Sequence, residues 1–173
     1  MEKYIAFLRG INVGGHKRIP MPELKKVFEK QGFLHVKTSL NTGNVIFEGE
    51  KASTMAIPGM LENAFGFFIG TIVLPFDDIC KIVASNPFKS IEVSPERRLY
   101  VTFLAERSDS QPEVPYFSAD GSFRIIHHTN HAVFSVLDLG KTKTTDAMNI
   151  LEKEFGKQIT TRNYNTVVKI AGL

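Results

Sequence analysis

The sequence has one cysteine and no tryptophan. A lone cysteine excludes an intrachain disulfide and fits a reducing compartment. Long apolar runs are also missing. The longest uncharged stretch, Asn63 to Phe76, contains Gly66, Gly70 and Pro75 and is too short to cross a bilayer. Met1 to Arg9 lack the charge order and apolar stretch of a signal peptide. No charge of one sign accumulates: Lys and Arg number 21 against 18 Asp and Glu, and up to residue 86 the counts are 10 and 8. A net charge of +3 with no basic tail or stripe gives weak support to nucleic-acid binding. The expectation is a cytoplasmic chain without a membrane segment. At 173 residues, 43% hydrophobic and 23% charged, it can bury a core as one large domain or two small ones.

The element pattern points to α+β. Tyr4 to Leu8 reads as a strand, and Met21 to Gln31 as a helix with Met21, Leu24, Val27, Phe28 and Gln31 on one face. Pro22 suits its first turn and Gly32 its C-terminal cap. His35 to Leu40 and Val45 to Glu48 read as a hairpin around Asn41-Thr42-Gly43-Asn44. A helix over Thr54 to Phe65, with Ile57, Leu61, Ala64 and Phe65 inward, and a strand over Thr71 to Leu74 complete β-α-β-β-α-β, the ferredoxin-like plait. The crossover rule then predicts the strand order 4-1-3-2 with both helices on one face. Residues 77–97 read as a linking helix and loop, in which Phe76, Ile79, Cys80 and Val83 share a face, so Cys80 is expected buried. Residues 98–173 repeat the order in degraded form. Ala105 to Ser122 carries Pro112 and Pro115 and little helix signal, Phe123 to His128 and Ala132 to Leu137 form a hairpin, and Thr144 to Phe155 forms a helix capped by Gly156. Gln158 to Thr161 is a strand, and Tyr164 to Ala171 is a helix with Asn163 at its N-cap. Two ferredoxin-like units in tandem, 1–76 and 98–173, are therefore expected, the second with a degraded first helix.

Two stretches carry a resemblance. Leu8-Arg9-Gly10-Ile11-Asn12-Val13-Gly14-Gly15 with Lys17, followed by Thr42-Gly43-Asn44-Val45-Ile46-Phe47, is the first; Thr161-Arg162-Asn163-Tyr164-Asn165-Thr166-Val167 with Lys169 is the second. Together they resemble the bacterial domain of unknown function 1697 family over essentially the whole chain. The resemblance implies paired ferredoxin-like units and no particular activity. Tyr164 stands where that family usually has tryptophan, and Ala105 to Ser122 is poorer in helix signal than its pattern.

The segment Arg9 to Arg18 leaves a strand and leads to a helix, with Gly10, Gly14 and Gly15 beside Arg9, Lys17 and Arg18. Glycines let backbone N–H groups crowd an anion, and the cations would neutralise it. It is not a phosphate loop, because no Ser or Thr follows the lysine, and its glycine spacing misses the dinucleotide fingerprint. The plait topology brings this loop to the same end as the Asn41–Asn44 turn. The candidate ligand site is therefore Arg9, Gly10, Asn12, Gly14, Gly15, Lys17, Arg18, Asn41, Gly43 and Asn44. A second basic cluster, Lys141, Lys143, Arg162 and Asn163, is expected at one end of the second unit. His127, His128 and His131 invite a metal reading, but only His128 and His131 would face the same side of the hairpin, too few for zinc. No metal or cofactor is expected.

No catalytic motif or general base is nominated, so an enzyme stands third among the readings. The leading reading is a binder of an anionic ligand: a nucleotide, a phosphometabolite or a nucleic-acid backbone. The alternative is a structural or regulatory protein–protein module using Phe65-Gly66-Phe67-Phe68-Ile69 as an apolar surface, if that stretch is exposed.

Overall fold

Tyr4, Ile5, Ala6, Phe7 and Leu8 are all buried, so the first strand is closed off on both faces, as suits the interior of a sheet. A computed structural model describes residues 1–106, 112–141 and 144–173. Its described residues divide into two compact units, Met1–Lys81 and Ile82–Leu173, each with its own antiparallel sheet.

The first unit runs β1 (Glu2–Leu8), α1 (Met21–Lys30), β2 (Leu34–Ser39), β3 (Asn44–Gly49), α2 (Lys51–Thr54), α3 (Ile57–Phe65), β4 (Thr71–Pro75) and the start of α4 (Phe76–Ser85). The sheet order is β2-β3-β1-β4, the expected one, with Ile5 opposite Ile46 and Leu74. Leu24 and Phe28 of α1 and Ile57 and Leu61 of α3 share one core with Tyr4, Ala6, Leu8, Val45 and Phe47, so both helices cover the same face. Phe47 is the centre of that core: its ring lies 4.7 Å from Phe33, 5.2 Å from Phe28 and 5.9 Å from Tyr4. Each such buried ring contributes about 1.5–3 kcal/mol.

Three expectations need correction. The helix expected over Thr54 to Phe65 is two helices separated at Met55–Ala56. Pro58 lacks an N–H and its ring blocks the carbonyl four residues back, so it sits in the first turn of α3 and ends any helix running in from Lys51. Ala64 faces solvent rather than the core. Cys80 is only partly buried, because the closed face of α4 centres on Phe76 and Ile79 and Cys80 lies at its margin.

The second unit runs β5 (Arg97–Leu104), β6 (Tyr116–Phe117), β7 (Phe123–His128), β8 (Ala132–Asp138), α5 (Thr144–Phe155), β9 (Ile159–Asn163) and α6 (Tyr164–Ala171). Its order is β6-β7-β8-β5-β9. Ala147 and Leu151 of α5 pack on Leu104, Ile125, Val133, Leu137 and Ile159. Among the described residues no helix stands between β5 and β7; the two-residue β6 adds an edge strand there instead. Gly156 closes α5 with φ 83° and its N–H on the Glu152 carbonyl, and Asn163 caps α6 by accepting the Asn165 N–H at 3.0 Å. No helix among the described residues is long and apolar enough to cross a membrane.

Two features generate tests. Ser135 is fully buried, opposite Tyr100 and Ile125, and its hydroxyl has no hydrogen-bond partner among the described residues. A buried unpaired hydroxyl is destabilising, so Ser135→Ala should raise unfolding stability by about 1 kcal/mol in urea denaturation; a comparable loss would contradict this. Asp120 accepts hydrogen bonds from the Ser118 hydroxyl and from the Ser122 hydroxyl and N–H, which hold its carboxyl down at about 2 against an ordinary 3.8. The charged form is favoured in the fold. The stabilisation it gives is complete above the ordinary carboxylate value and is lost as pH falls toward 2. Carboxyl NMR titration should show this low value, and Ser118→Ala with Ser122→Ala should move it back up.

Candidate functional site

The chain leaves β1 between two supports. The Leu8 N–H donates to the Gly43 carbonyl at 2.8 Å, and the Arg9 N–H donates to the Gly70 carbonyl at 2.7 Å. Gly43, φ 76°, is buried against this exit: a β-carbon there would stand 2.7 Å from Ile11 Cδ1 and 2.8 Å from Leu8 Cβ. Ile11 and Ile19 are buried and pin the two ends of the loop. Between them Asn12, φ 56°, acts as a clamp. Its Nδ2 donates to the carbonyls of Ile19 (3.0 Å) and Asn41 (2.8 Å), and its Oδ1 accepts the Ile19 N–H (2.8 Å). Val13 then bridges His16 around Gly14 and Gly15, with φ 63° and 80°, the tight turn in which both central residues are left-handed.

Asn12, Gly15, Arg18, Pro20, Met21 and Asn41 line an open depression of about 390 Å³ between this loop, the 40–43 turn and the start of α1. Among the described residues, Arg18 is the one cation on its lining. The helix end adds little, since Pro22 has no N–H and the Glu23 and Leu24 amides both donate to the Pro20 carbonyl.

Loop and turn are thus joined, but several expected ligand groups are committed elsewhere. Asn44 is fully buried, its Nδ2 donating to the Ser39 carbonyl at 2.8 Å and to Thr42 Oγ at 3.1 Å, so it faces the turn's interior. Gly43 is sealed by Ile11, and all three polar hydrogen-bonding directions used by Asn12 go to backbone. Lys17 turns to the α3–β4 connection, where its Nζ donates to the Phe68 carbonyl at 3.2 Å. Arg9 and Gly10 are exposed on the chain leaving β1, and Gly14, Gly15, Arg18 and Asn41 remain exposed around the depression.

The second cluster is divided among separate tasks. Lys143 lies outside the described residues, and Lys141 is exposed after β8. Arg162 is half-buried in β9, donating to Thr160 Oγ at 2.8 Å and the Thr161 carbonyl at 3.0 Å, and burial pushes its guanidinium down to about 10. Asn163 is the α6 cap. The apolar surface expected over Phe65 to Ile69 shrinks to one ring. Ile69 is buried, Phe65 and Phe67 pack on the core, and Phe68 is 63% exposed. His127 stacks on Phe134 at 5.7 Å and His128 Nε2 lies 3.3 Å from the Pro112 carbonyl. Among the described residues no three His, Cys, Asp or Glu side chains are gathered as a metal requires.

A second depression, about 240 Å³, is lined by Lys3, His35, Lys37 and Glu48, and no sequence motif marks it. His35 Nε2 lies 3.8 Å from Glu48 Oε2. The signal was available in the cross-strand register, which sets Lys3 opposite Glu48, but the bulge between Leu34 and Lys37 that turns His35 toward it was not.

The fold and site define a small mixed α/β protein with two antiparallel sheets and a clamped polar loop beside an open depression. The chain belongs to the family described as protein of unknown function (DUF1697), whose profile matches residues 1–134. It is also similar to the solved structure of a conserved bacterial protein from Streptococcus pneumoniae, with TM-score 0.71 and 21% identity over 98% of this chain and 97% of that one. At that identity the likeness speaks for the fold. No curated protein matches the chain.

The geometry predicts an unequal response to methyl groups. Gly14→Ala meets open space and should cost about 1 kcal/mol for its positive φ alone. Gly43→Ala adds a collision with Ile11 and Leu8 and should cost at least about 2 kcal/mol in chemical denaturation. Equal costs would contradict the close approach.

Proposed function

We propose that the chain binds a small phosphate-bearing anion, free or as part of a nucleotide or nucleic-acid backbone, in the depression beside the Gly14–Gly15 turn. The observation that carries this is the position of Arg18 on the lining of that depression, next to exposed backbone and the polar Asn41. A guanidinium offers a planar fork that matches phosphate oxygens in pairs. The glycines leave approach to the backbone unobstructed, and the Asn12 clamp holds the loop's course before a ligand arrives, which lowers the ordering cost of binding. The site is smaller than the full run of basic residues suggests, with Arg18 as principal cation and Arg9 peripheral.

We read the scaffold as two ferredoxin-like units. The order β2-β3-β1-β4 supports this in the first, and β7-β8-β5-β9 with β6 added at the edge supports it in the second. The cytoplasm is the compartment proposed, from the lone Cys80.

The test is calorimetric titration at low salt with inorganic phosphate, ribose 5-phosphate and adenosine monophosphate. Wild type should bind at least one of them, more weakly as salt rises. Arg18→Ala should lose about tenfold or more in affinity, the worth of a hydrogen bond to a charged group. Absence of binding across the three ligands, or unchanged binding by Arg18→Ala, would overturn the reading.

A further inference from the structure

Lys17 has a left-handed backbone, φ 51°, a conformation unfavourable for a residue with a β-carbon unless its surroundings hold it. Two contacts hold it. Its Nζ donates to the carbonyl of Phe68 at 3.2 Å and stands 5.3 Å from the centre of the Phe67 ring, within cation–π range. That anchor is firm, because Phe67 packs against the first unit's core and the neighbouring Ile69 is fully buried. On the other limb of the loop Asn12 is tied to Asn41, and the Asn12 N–H donates to the Lys17 carbonyl at 3.2 Å. The Gly14–Gly15 turn therefore hangs between two ties, one to the β2–β3 turn and one to the α3–β4 connection. Arg18 follows directly on the second.

We propose that Lys17 is a latch. It grips the α3–β4 connection and so positions the Gly14–Gly15 turn and Arg18, and it does not itself meet the anion. The consequence for phosphate affinity rests on the anion-binding reading above, whereas the latch itself is a property of the unliganded chain. Two kinds of lysine are separated by the Phe67 ring. A lysine that contacts the anion directly has no need of the ring. A latch loses grip when the ring is removed, although no charge has changed.

The experiment uses the full chain as wild type, Lys17→Met, Lys17→Arg and Phe67→Leu. Amide hydrogen exchange is followed at Asn12 and His16, whose N–H groups are bonded within the loop. Lys17→Met and Phe67→Leu should each speed exchange there by about two- to fivefold, the range set by an exposed cation–π contact. Lys17→Arg, which keeps a donor and a cation over the ring, should preserve protection. Inorganic phosphate titration should then show both loosening variants weakened, with the salt dependence of the charge-neutral Phe67→Leu change unaltered. Unaltered exchange in Lys17→Met would overturn the latch. So would a Lys17→Met variant with shallower salt dependence beside a Phe67→Leu variant that binds like wild type, since Lys17 would then be a direct ligand. Faster exchange in both variants of a chain that binds none of inorganic phosphate, ribose 5-phosphate and adenosine monophosphate supports the latch and removes only the anion-binding reading.

Discussion

Residue 43 has no room for a β-carbon, and much of the first unit's loop end follows from that. Ile11 and Leu8 occupy the space where one would stand, which brings the β2–β3 turn into contact with the exit of β1. The approach puts the Asn41 carbonyl within 2.8 Å of the Asn12 amide. With that bond made, Asn12 also pairs both ways with Ile19, and the chain between them is left only the short excursion through Gly14 and Gly15. The depression beside Arg18 is the space between parts so fixed: loop, turn and the start of α1.

Charge and geometry contribute unequally to that end of the molecule. Three basic residues lie within ten positions, yet only Arg18 lines the depression, while Lys17 serves the α3–β4 connection and Arg9 leaves its N–H on Gly70. An exposed cation is largely screened beyond roughly 8 Å at physiological salt, so one that points away from the depression adds little there. A single well-placed guanidinium on a pre-arranged loop is a more selective device than a diffuse basic patch. It also accords with a chain whose overall charge is only +3.

The sequence made the first sheet readable because its signals are local. The apolar run from Tyr4 to Leu8, the 21–31 periodicity and the Gly43 turn each specify one element, and the crossover rule orders them. The break at Met55–Ala56 has an equally local cause in Pro58. What stayed hidden depends on distant partners. Asn12 reads as a ligand group until its partner 29 residues away is known, and Lys17 reads as an anion contact until its carbonyl 51 residues away is found. Asn44 reads as a polar turn residue although the turn closes over it. In the second unit, Pro112 and Pro115 signalled that any helix in the 105–122 segment is short, but not that Tyr116–Phe117 would form an edge strand.

We propose the clamped loop, with Arg18 as its cation, as the place where an anion binds. The sharpest check is residue-resolved amide NMR at low salt, titrating inorganic phosphate, ribose 5-phosphate and adenosine monophosphate in turn. With at least one of them, saturable shifts are expected at Gly14, Gly15, Arg18 and Met21, with Asn44, Lys141 and Arg162 unmoved. Shifts centred on Lys141 and Arg162, or none at the loop with any of the three, would overturn the proposal.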